Sequence, residues 1–155
     1  MKLTDLPEKY RMEAYEQMKP RANTVAPSST TTVYINPIGK PRMTQRDKWA
    51  KRPAVLRYRE FADEMRLRVK DIPENASQVS WKAFFPIPDS WTKKKKAEMK
   101  GKLHRQKPDR DNVDKAILDA LFKDDSGIAT GYLEKRWDDG NGPRIEISID
   151  NRPLL

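Results

Sequence analysis

The sequence predicts a single α+β domain in which a small mixed or antiparallel sheet packs against helices. Stretches of alternating or β-branched residues predict strands, and segments with apolar residues at helical period predict helices. Their order along the chain is strand, helix, strand, two helices and two strands, which is typical of an α+β fold. The length of 155 residues fits one domain that buries its own core.

The first 31 residues differ in composition from the rest of the chain. Residues 5–19 predict a short helix, with Asp5 as its N-cap and Pro7 in the first turn. Residues 21–32 are rich in Ser, Thr, Ala and Pro, which is typical of a linker. We therefore predict an N-terminal helical appendage over residues 1–31 and the main domain over residues 32–155.

The main domain is expected to begin with a strand at Val33–Asn36, where β-branched and aromatic residues cluster. A basic loop follows, and Pro53 opens a helix that extends through Lys70. Val79–Phe85 alternates well enough to predict a second strand, which two prolines end.

The second half of the domain is predicted to hold two helices and two strands. Ser90 caps a short helix with the body Lys93–Lys100, and Asp111 or Asn112 caps a longer helix that reaches about Phe122. Tyr132–Trp137 and Arg144–Ile149 are the predicted closing strands. The Gly- and Asn-rich segment between them favours a hairpin turn.

The composition limits the possible partners. The formal net charge is +9 and the pI is 9.7, which favours nucleic acid, although a merely solvated basic surface is the alternative. There is no cysteine and a single histidine, so disulfides and thiolate metal sites are excluded and a His-rich zinc site is disfavoured. No stretch is apolar enough to span a membrane, and no secretory signal is evident. We expect a cytoplasmic protein.

A run of aspartates contrasts with this basic composition. Asp109 lies before the longer helix, Asp111 at its start and Asp125 just beyond its end. Carboxylates from such positions can converge on an oxygen-liganded Mg²⁺ ion, which would polarise a scissile phosphate and activate a water. Lys115, one turn after Asp111, could neutralise charge that develops on the phosphate.

Aspartates also serve as caps and turn residues, so an Asp-x-Asp pair alone is a weak signal. Asp114 and Asp119 are expected to be outward or structurally bonded residues of the helix. Asp138 and Asp139 are expected to belong to the hairpin turn.

The same helix is apolar on two sides. Val113, Ile117 and Leu121 form one stripe, and Leu118 and Phe122 lie on a second face. A helix of this kind is normally covered on both sides. We expect the sheet on one side and a partner, such as a second copy of the chain, on the other.

Three segments around the longer helix resemble the signature of the RusA Holliday-junction resolvases, which are often prophage-borne. They are Lys-Pro-Asp-Arg-Asp-Asn at residues 107–112, Lys-Ala-Ile-Leu-Asp-Ala-Leu at 115–121 and the Asp124–Asp125 pair. The loop at 39–44 and the segments at 135–137 and 143–147 also resemble parts of this family. The resemblance covers roughly residues 32–150.

The resemblance implies a homodimeric, Mg²⁺-dependent endonuclease, with Mn²⁺ as a possible substitute, that cuts four-way DNA junctions symmetrically in recombination and repair. It needs no small-molecule cofactor and no membrane, and it works in a bacterial or phage-infected host cell. Asp109, Asp111 and Asp125 would hold the metal and Lys115 would be the catalytic lysine.

Asp125 is preferred to Asp124 because the family uses the second member of the pair. The segment between Leu121 and Asp124 is shorter than in the family, which keeps Asp124 as the alternative. Residues 1–31 have no counterpart in its compact members.

Basic residues that precede the acidic run in the sequence are the expected DNA contacts. The set comprises Lys40, Arg42, Arg46 and Lys48 in the first loop and Arg105 and Lys107 before the motif. No feature of the sequence indicates base readout, so branched shape is the expected recognition signal. Trp49, Trp81 and Trp91 are expected to be core or staple residues and not platforms for base stacking. The alternative is a non-catalytic nucleic-acid-binding module with a vestigial acidic site.

Overall fold

A computed structural model of the chain describes residues 30–48 and 52–151. Its four strands are β1 (Thr31–Val33), β2 (Gln78–Phe85), β3 (Leu133–Trp137) and β4 (Arg144–Asp150), and they form one sheet in the order β1-β4-β2-β3. Strand β4 pairs antiparallel with β1 and β2, whereas β2 and β3 run parallel. The sheet is mixed, which confirms the predicted fold class.

Three helices complete the fold of the described residues. They are α1 (Pro53–Arg68), α2 (Lys93–Met99) and α3 (Arg110–Leu121), and a short 3-10 turn lies at Gln45–Lys48. The fixed φ of Pro53 suits the first position of α1. Helices α1 and α3 pack against each other and contribute to a common core with the sheet.

Alternation along the strands and helical period along α1 and α3 together build that core. Val79, Trp81 and Ala83 of β2 are buried, and Met65 of α1 and Ile117 of α3 lie in the same cluster. Each large apolar side chain buried here contributes about 1.5–3 kcal/mol to stability. The strands predicted over residues 79–85 and 144–149 and the helix predicted from residue 53 are confirmed.

The predicted hairpin between the last two strands is wrong. Strand β4 inserts between β1 and β2, and β3 lies at the far edge beside β2. The Gly-rich segment therefore crosses the end of β2, where the Asp138 amide donates to the Phe85 carbonyl. Asp138 Oδ1 accepts hydrogen bonds from the amides of Gly140 (3.1 Å) and Gly142 (3.0 Å), which lie at positive φ.

The first strand was predicted over residues 33–36 but lies earlier. Thr31 pairs with Ile147 and Val33 with Ile145, and β4 begins one residue before Ile145. Residues after Val33 are not part of the sheet, and Tyr34 is 70% exposed. β-propensity indicated a strand here, but the chain leaves the sheet before the aromatic residue that suggested it.

Two helix caps also differ from the sequence-based expectation. Helix α3 is capped by Asp109, because the Val113 amide already donates to the Asp109 carbonyl at 3.0 Å. Helix α2 is capped by Thr92, whose side chain accepts from the Lys95 amide at 3.2 Å. In each case several Asp, Asn, Ser or Thr residues lie near the helix start, and intrinsic cap preference does not decide between them, since Thr92 is the cap although Ser90 is the better cap residue.

Asp139 anchors the crossing segment to β4, and its removal should destabilise the fold. The Arg144 guanidinium donates to both carboxylate oxygens at 3.0 and 2.9 Å, and these hydrogen bonds hold the pKa of Asp139 well below its usual range. We expect Asp139→Asn to cost about 1–2 kcal/mol at pH 7, since part of the pair stays in contact with water.

Because the folded-state pKa is depressed, this contribution is complete above the unfolded pKa, near pH 4, and is lost as the pH falls below it. Urea unfolding of the two proteins at pH 7 and pH 3 measures the difference, which should narrow at pH 3. An equal difference at both values would contradict the role of the charge.

The predicted helix and linker at residues 1–31 lie almost entirely outside the described residues. None of the helices in residues 30–48 and 52–151 has the length and apolar character required to cross a membrane.

Candidate active site

The start of α3 presents two carboxylates. Asp109 is the N-cap, but its side chain makes no capping hydrogen bond, and Asp111 lies in the first turn. Both residues are exposed, as is Lys115 one turn after Asp111. The structure thus brings together three of the predicted site residues at one end of one helix, with the Asp109 carboxylate not engaged in helix capping.

Lys135 of β3 holds the segment that leads into α3. Its ammonium group donates to the carbonyls of Gln106 (2.7 Å) and Pro108 (2.6 Å). Burial lowers the pKa of Lys135, and the nearby Asp109 carboxylate partly offsets this by favouring the charged form. Lys135 therefore fixes the backbone that carries Asp109.

The loop after β1 closes onto the same helix start. The Lys40 amide donates to the Asn112 carbonyl at 3.3 Å. Gly39 permits this approach, because a Cβ there would lie 2.5 Å from Asn112 Nδ2 and 2.8 Å from Pro108 Cβ. A groove of about 550 Å³ results, lined by Lys40, Pro41, Arg42, Met43, Asn112 and Lys115.

The predicted DNA contacts have different surroundings. Lys40 forms an ion pair with Asp119, and its ammonium group lies 5.5 Å above the Tyr58 ring. Arg42 lines the groove described above and is exposed, as are Arg46, Arg105 and Lys107. Lys48 ends the 3-10 turn. The exposed cations lie in the two segments that flank the start of α3.

Asp125 lies beyond the opposite end of α3. The helix has 12 residues, so its ends are roughly 18 Å apart at 1.5 Å per residue. Within residues 30–48 and 52–151, no three His, Asp or Glu side chains are grouped so that they could hold a metal ion. One chain does not bring Asp125 to Asp109 and Asp111.

Asp124 and Asp125 have different bonding. Asp124 Oδ1 accepts from the Ser126 amide at 3.0 Å, and this hydrogen bond, with that of the Ser126 side chain, lowers the Asp124 pKa. Asp125 accepts from the Ile128 amide at 3.0 Å through its backbone carbonyl, so this hydrogen bond does not involve its side-chain carboxylate. Asp124 thus has a structural role in the turn.

The other aspartates of α3 are bonded inside the fold, as expected. Asp114 Oδ1 accepts from Trp81 Nε1 at 2.9 Å, and Asp119 pairs with Lys40. Trp81 is buried, which confirms its place in the core, and Trp91 packs against the core. Trp49 lies outside the described residues.

Sequence reasoning placed Gly39 and Lys135 in segments that resemble the family but gave neither of them, nor Arg66, a role at the site. Arg66 Nε donates to the Ala120 carbonyl at 2.8 Å and so supports the end of α3. Gly39 carries one sequence signal, since an isolated glycine after a strand can mark a close backbone approach. Lys135 and Arg66 carry none, because each acts on a backbone carbonyl remote in sequence.

Comparison with known proteins completes the assignment. No curated protein and no solved structure is significantly similar to this chain. The family model for the endodeoxyribonuclease RusA matches residues 34–150, which is more than half of the 155 residues. The match spans the whole sheet beyond β1, all three helices and the aspartates at both ends of α3. The chain therefore belongs to the RusA endodeoxyribonuclease family, which implies that it is an endonuclease acting on Holliday junctions.

Proposed function

We propose that the protein is a homodimeric, structure-selective endonuclease that requires Mg²⁺, or Mn²⁺ in its place, and resolves four-way junctions by phosphodiester hydrolysis. It would serve DNA recombination and repair in the cytoplasm of a bacterial or phage-infected cell. The exposed carboxylate pair at the start of α3, set between cationic segments, is the observation that carries this proposal.

The side chains at the start of α3 suit Mg²⁺. This ion takes oxygen ligands, keeps several waters and commonly uses only one or two carboxylates together with substrate phosphates. Asp109 and Asp111 supply two exposed carboxylates. When bound there, the ion would polarise the scissile phosphate and lower the pKa of the attacking water.

A third carboxylate would come from a second copy of the chain. Helix α3 keeps Asp125 away from Asp109 and Asp111 of its own chain. In a two-fold dimer each surface patch meets the same patch of the partner. We propose that each site combines Asp109 and Asp111 of one chain with the equivalent of Asp125 from the other.

The surface near Asp125 fits this arrangement. A groove of about 930 Å³ beside the end of α3 is lined in part by Ile72, Leu121, Phe122 and Ile128. Leu118 and Phe122 are only half-buried and pack on the core. A second copy seated on this surface would cover its apolar side chains and approach Asp125 at the same time.

The remaining site residues would act on the substrate. Lys115 lines the groove at the helix start, where its ammonium group can stabilise charge that develops on the cleaved phosphate. Arg42, Arg46, Arg105 and Lys107 would bind neighbouring phosphates, with Lys48 and, once released from Asp119, Lys40. Each phosphate neutralised steepens the log–log salt dependence of binding by about 0.9.

Metal removal is expected to separate cutting from binding. The experiment uses a labelled synthetic four-way junction and a linear duplex of matched sequence, with Mg²⁺, with Mn²⁺ and with EDTA. We expect paired, symmetric nicks in the junction alone, abolished by EDTA, because the reaction needs a cation to activate water.

Junction binding without nicks in either metal would refute the catalytic assignment. It would favour a non-catalytic DNA-binding module with a vestigial acidic site. Equal cutting of the linear duplex would instead contradict structure selectivity and leave a general nuclease.

A further inference from the structure

A further cavity lies next to the start of α3, and it shares Lys40 and Lys107 with the DNA contacts proposed above. Its volume is about 600 Å³, and it lies between the loop after β1, the start of α1 and the ends of β2 and β3. Its lining includes Asn36, Arg57, Phe85, His104, Lys107 and Trp137. This volume is within the range of about 300–1,000 Å³ that is usual for small-ligand sites.

The cavity has an aromatic wall. The His104 ring stacks on Phe85, with centroids 4.2 Å apart and an interplanar angle of 25°, and it meets Trp137 at 4.2 Å. His104 is 5% exposed and Trp137 is 3% exposed. Three packed rings form a rigid, mostly apolar surface suited to a flat ligand.

Two polar atoms of this wall have no partner. Within the described residues, neither His104 Nδ1 nor Trp137 Nε1 makes a hydrogen bond, although both are buried. Buried polar groups are nearly always paired, and each exception needs an explanation. Both atoms belong to side chains that line the cavity, and each has less than 1 Å² exposed, so a ligand pairs with them only if the wall opens slightly on binding.

The protonation state of His104 restricts the ligand class. Burial, with a contribution from the charge of Lys135, lowers the pKa of His104 to about 4. The ring is therefore neutral at pH 7, with one nitrogen as donor and the other as acceptor. A neutral ring fits the edge of a flat heterocycle better than it fits a phosphate.

Cations and amides complete the match to a nucleotide. Arg57 and Lys107 are exposed residues of the lining, where they can bind phosphates on either side of an inserted base. Asn36 and Asn112 also line the cavity, and Pro108, which precedes the Asp109 cap, borders it. The cavity thus adjoins the carboxylates of the candidate active site.

We propose that this cavity, the base pocket, captures one nucleobase extruded from the DNA strand whose phosphate lies at Asp109 and Asp111. The inference rests on the proposed function. Extrusion costs least where stacking is interrupted, as it is at the centre of an open four-way junction. Capture of a base would place the adjacent phosphate and would add a local base contact to the recognition of branched shape.

The test measures binding in EDTA, where no cutting occurs. A single abasic site is placed at successive positions around the branch point of a four-way junction, and the Kd is measured by fluorescence anisotropy. We expect a position at which loss of the base weakens binding at least about threefold, because the abasic site removes the hydrogen bonds and the aromatic contacts of that base together. An abasic site opposite that base should tighten binding, because extrusion no longer breaks a pair.

Trp137→Phe keeps an aromatic ring and removes the Nε1 donor. It should therefore reduce the difference in Kd between the intact junction and the junction that lacks this base. Trp91→Phe is the matched control, since Trp91 packs edge-on against Trp137 at 4.8 Å and is not among the residues that line the base pocket. Circular dichroism and urea unfolding establish that both variants fold.

The base pocket is overturned if no abasic position changes the Kd, or if the abasic site changes the Kd of both variants equally. Either result holds even if the wild type cuts junctions normally. If the protein binds junctions with this dependence on the abasic position but never cuts them, the proposed function is refuted and the base pocket stands.

Discussion

Asp111→Asn is expected to leave junction binding intact and to reduce cutting at least about a hundredfold, because it removes an anionic oxygen from the proposed metal site. Asp111 is exposed in the first turn of α3, so the isosteric amide should not disturb folding. Anisotropy in EDTA measures binding, and denaturing gels of the labelled junction measure cutting. Asp114→Asn serves as a control, since Asp114 bonds Trp81 inside the fold.

The same variant determines whether the site is shared between chains. Asp111→Asn and Asp125→Asn are expected to be inactive separately. In a heterodimer of the two, a shared arrangement places both changes in one site and leaves the other site intact. Random mixing of subunits should then restore about a quarter of the wild-type sites, which nick one strand at a time.

If each chain instead built its own site, every site in the mixture would carry a change and no nicking would return. If the Asp111→Asn protein cuts junctions as well as the wild type does, Asp111 has no part in the mechanism. Light scattering on the mixture shows that the subunits form dimers. A purification tag on one variant shows that they have exchanged if the untagged variant co-purifies with it.

Gly131→Ala is expected to cost about 3 kcal/mol or more, a large share of a typical total stability of 5–15 kcal/mol. The added Cβ would lie 1.8 Å from the Val79 carbonyl oxygen and 2.9 Å from its carbon. These are backbone atoms of β2, which lies between β4 and β3 in the sheet. They cannot move without loss of strand pairing.

The neighbours of Gly131 make the constraint tighter. The Thr130 carbonyl accepts from the Val79 amide at 3.2 Å, and the Tyr132 carbonyl accepts from the Trp81 amide at 2.9 Å. The backbone is therefore held against β2 on both sides of the glycine.

Urea unfolding measures the difference in free energy between Gly131→Ala and the wild type. Gly127→Ala is the control, because its Cβ would meet only the Ala76 carbonyl oxygen at 3.7 Å, an ordinary contact. A Gly131→Ala protein within about 1 kcal/mol of the wild type, the mean effect of a point mutation, would contradict the close approach.

The sequence predicted most elements because their signals are local. The period of apolar residues in α1 and the alternation in β2 follow from how each segment faces the core, and both are confirmed. The strand order was not predictable in the same way. Whether β4 pairs with β3 or inserts beside β2 depends on contacts far apart in sequence, and a Gly-rich connection suits both arrangements.

The candidate site shows the same division. The motif places Asp109, Asp111 and Lys115 near one another because they share the start of one helix. It gives no distance to Asp125, since that distance depends on the path of the chain after α3. The supporting contact of Lys135 and the aromatic wall around His104 depend on strand pairing, and no local pattern encodes them.

The length of α3 has a consequence for dosage. If one chain cannot form a complete metal site from its own carboxylates, an isolated subunit is inactive and does not cut the DNA of the cell that produces it. Below the dissociation constant of the dimer, the number of assembled sites rises with the square of subunit concentration. A twofold change in expression would then change cutting about fourfold, so DNA cleavage would begin only once the protein has accumulated.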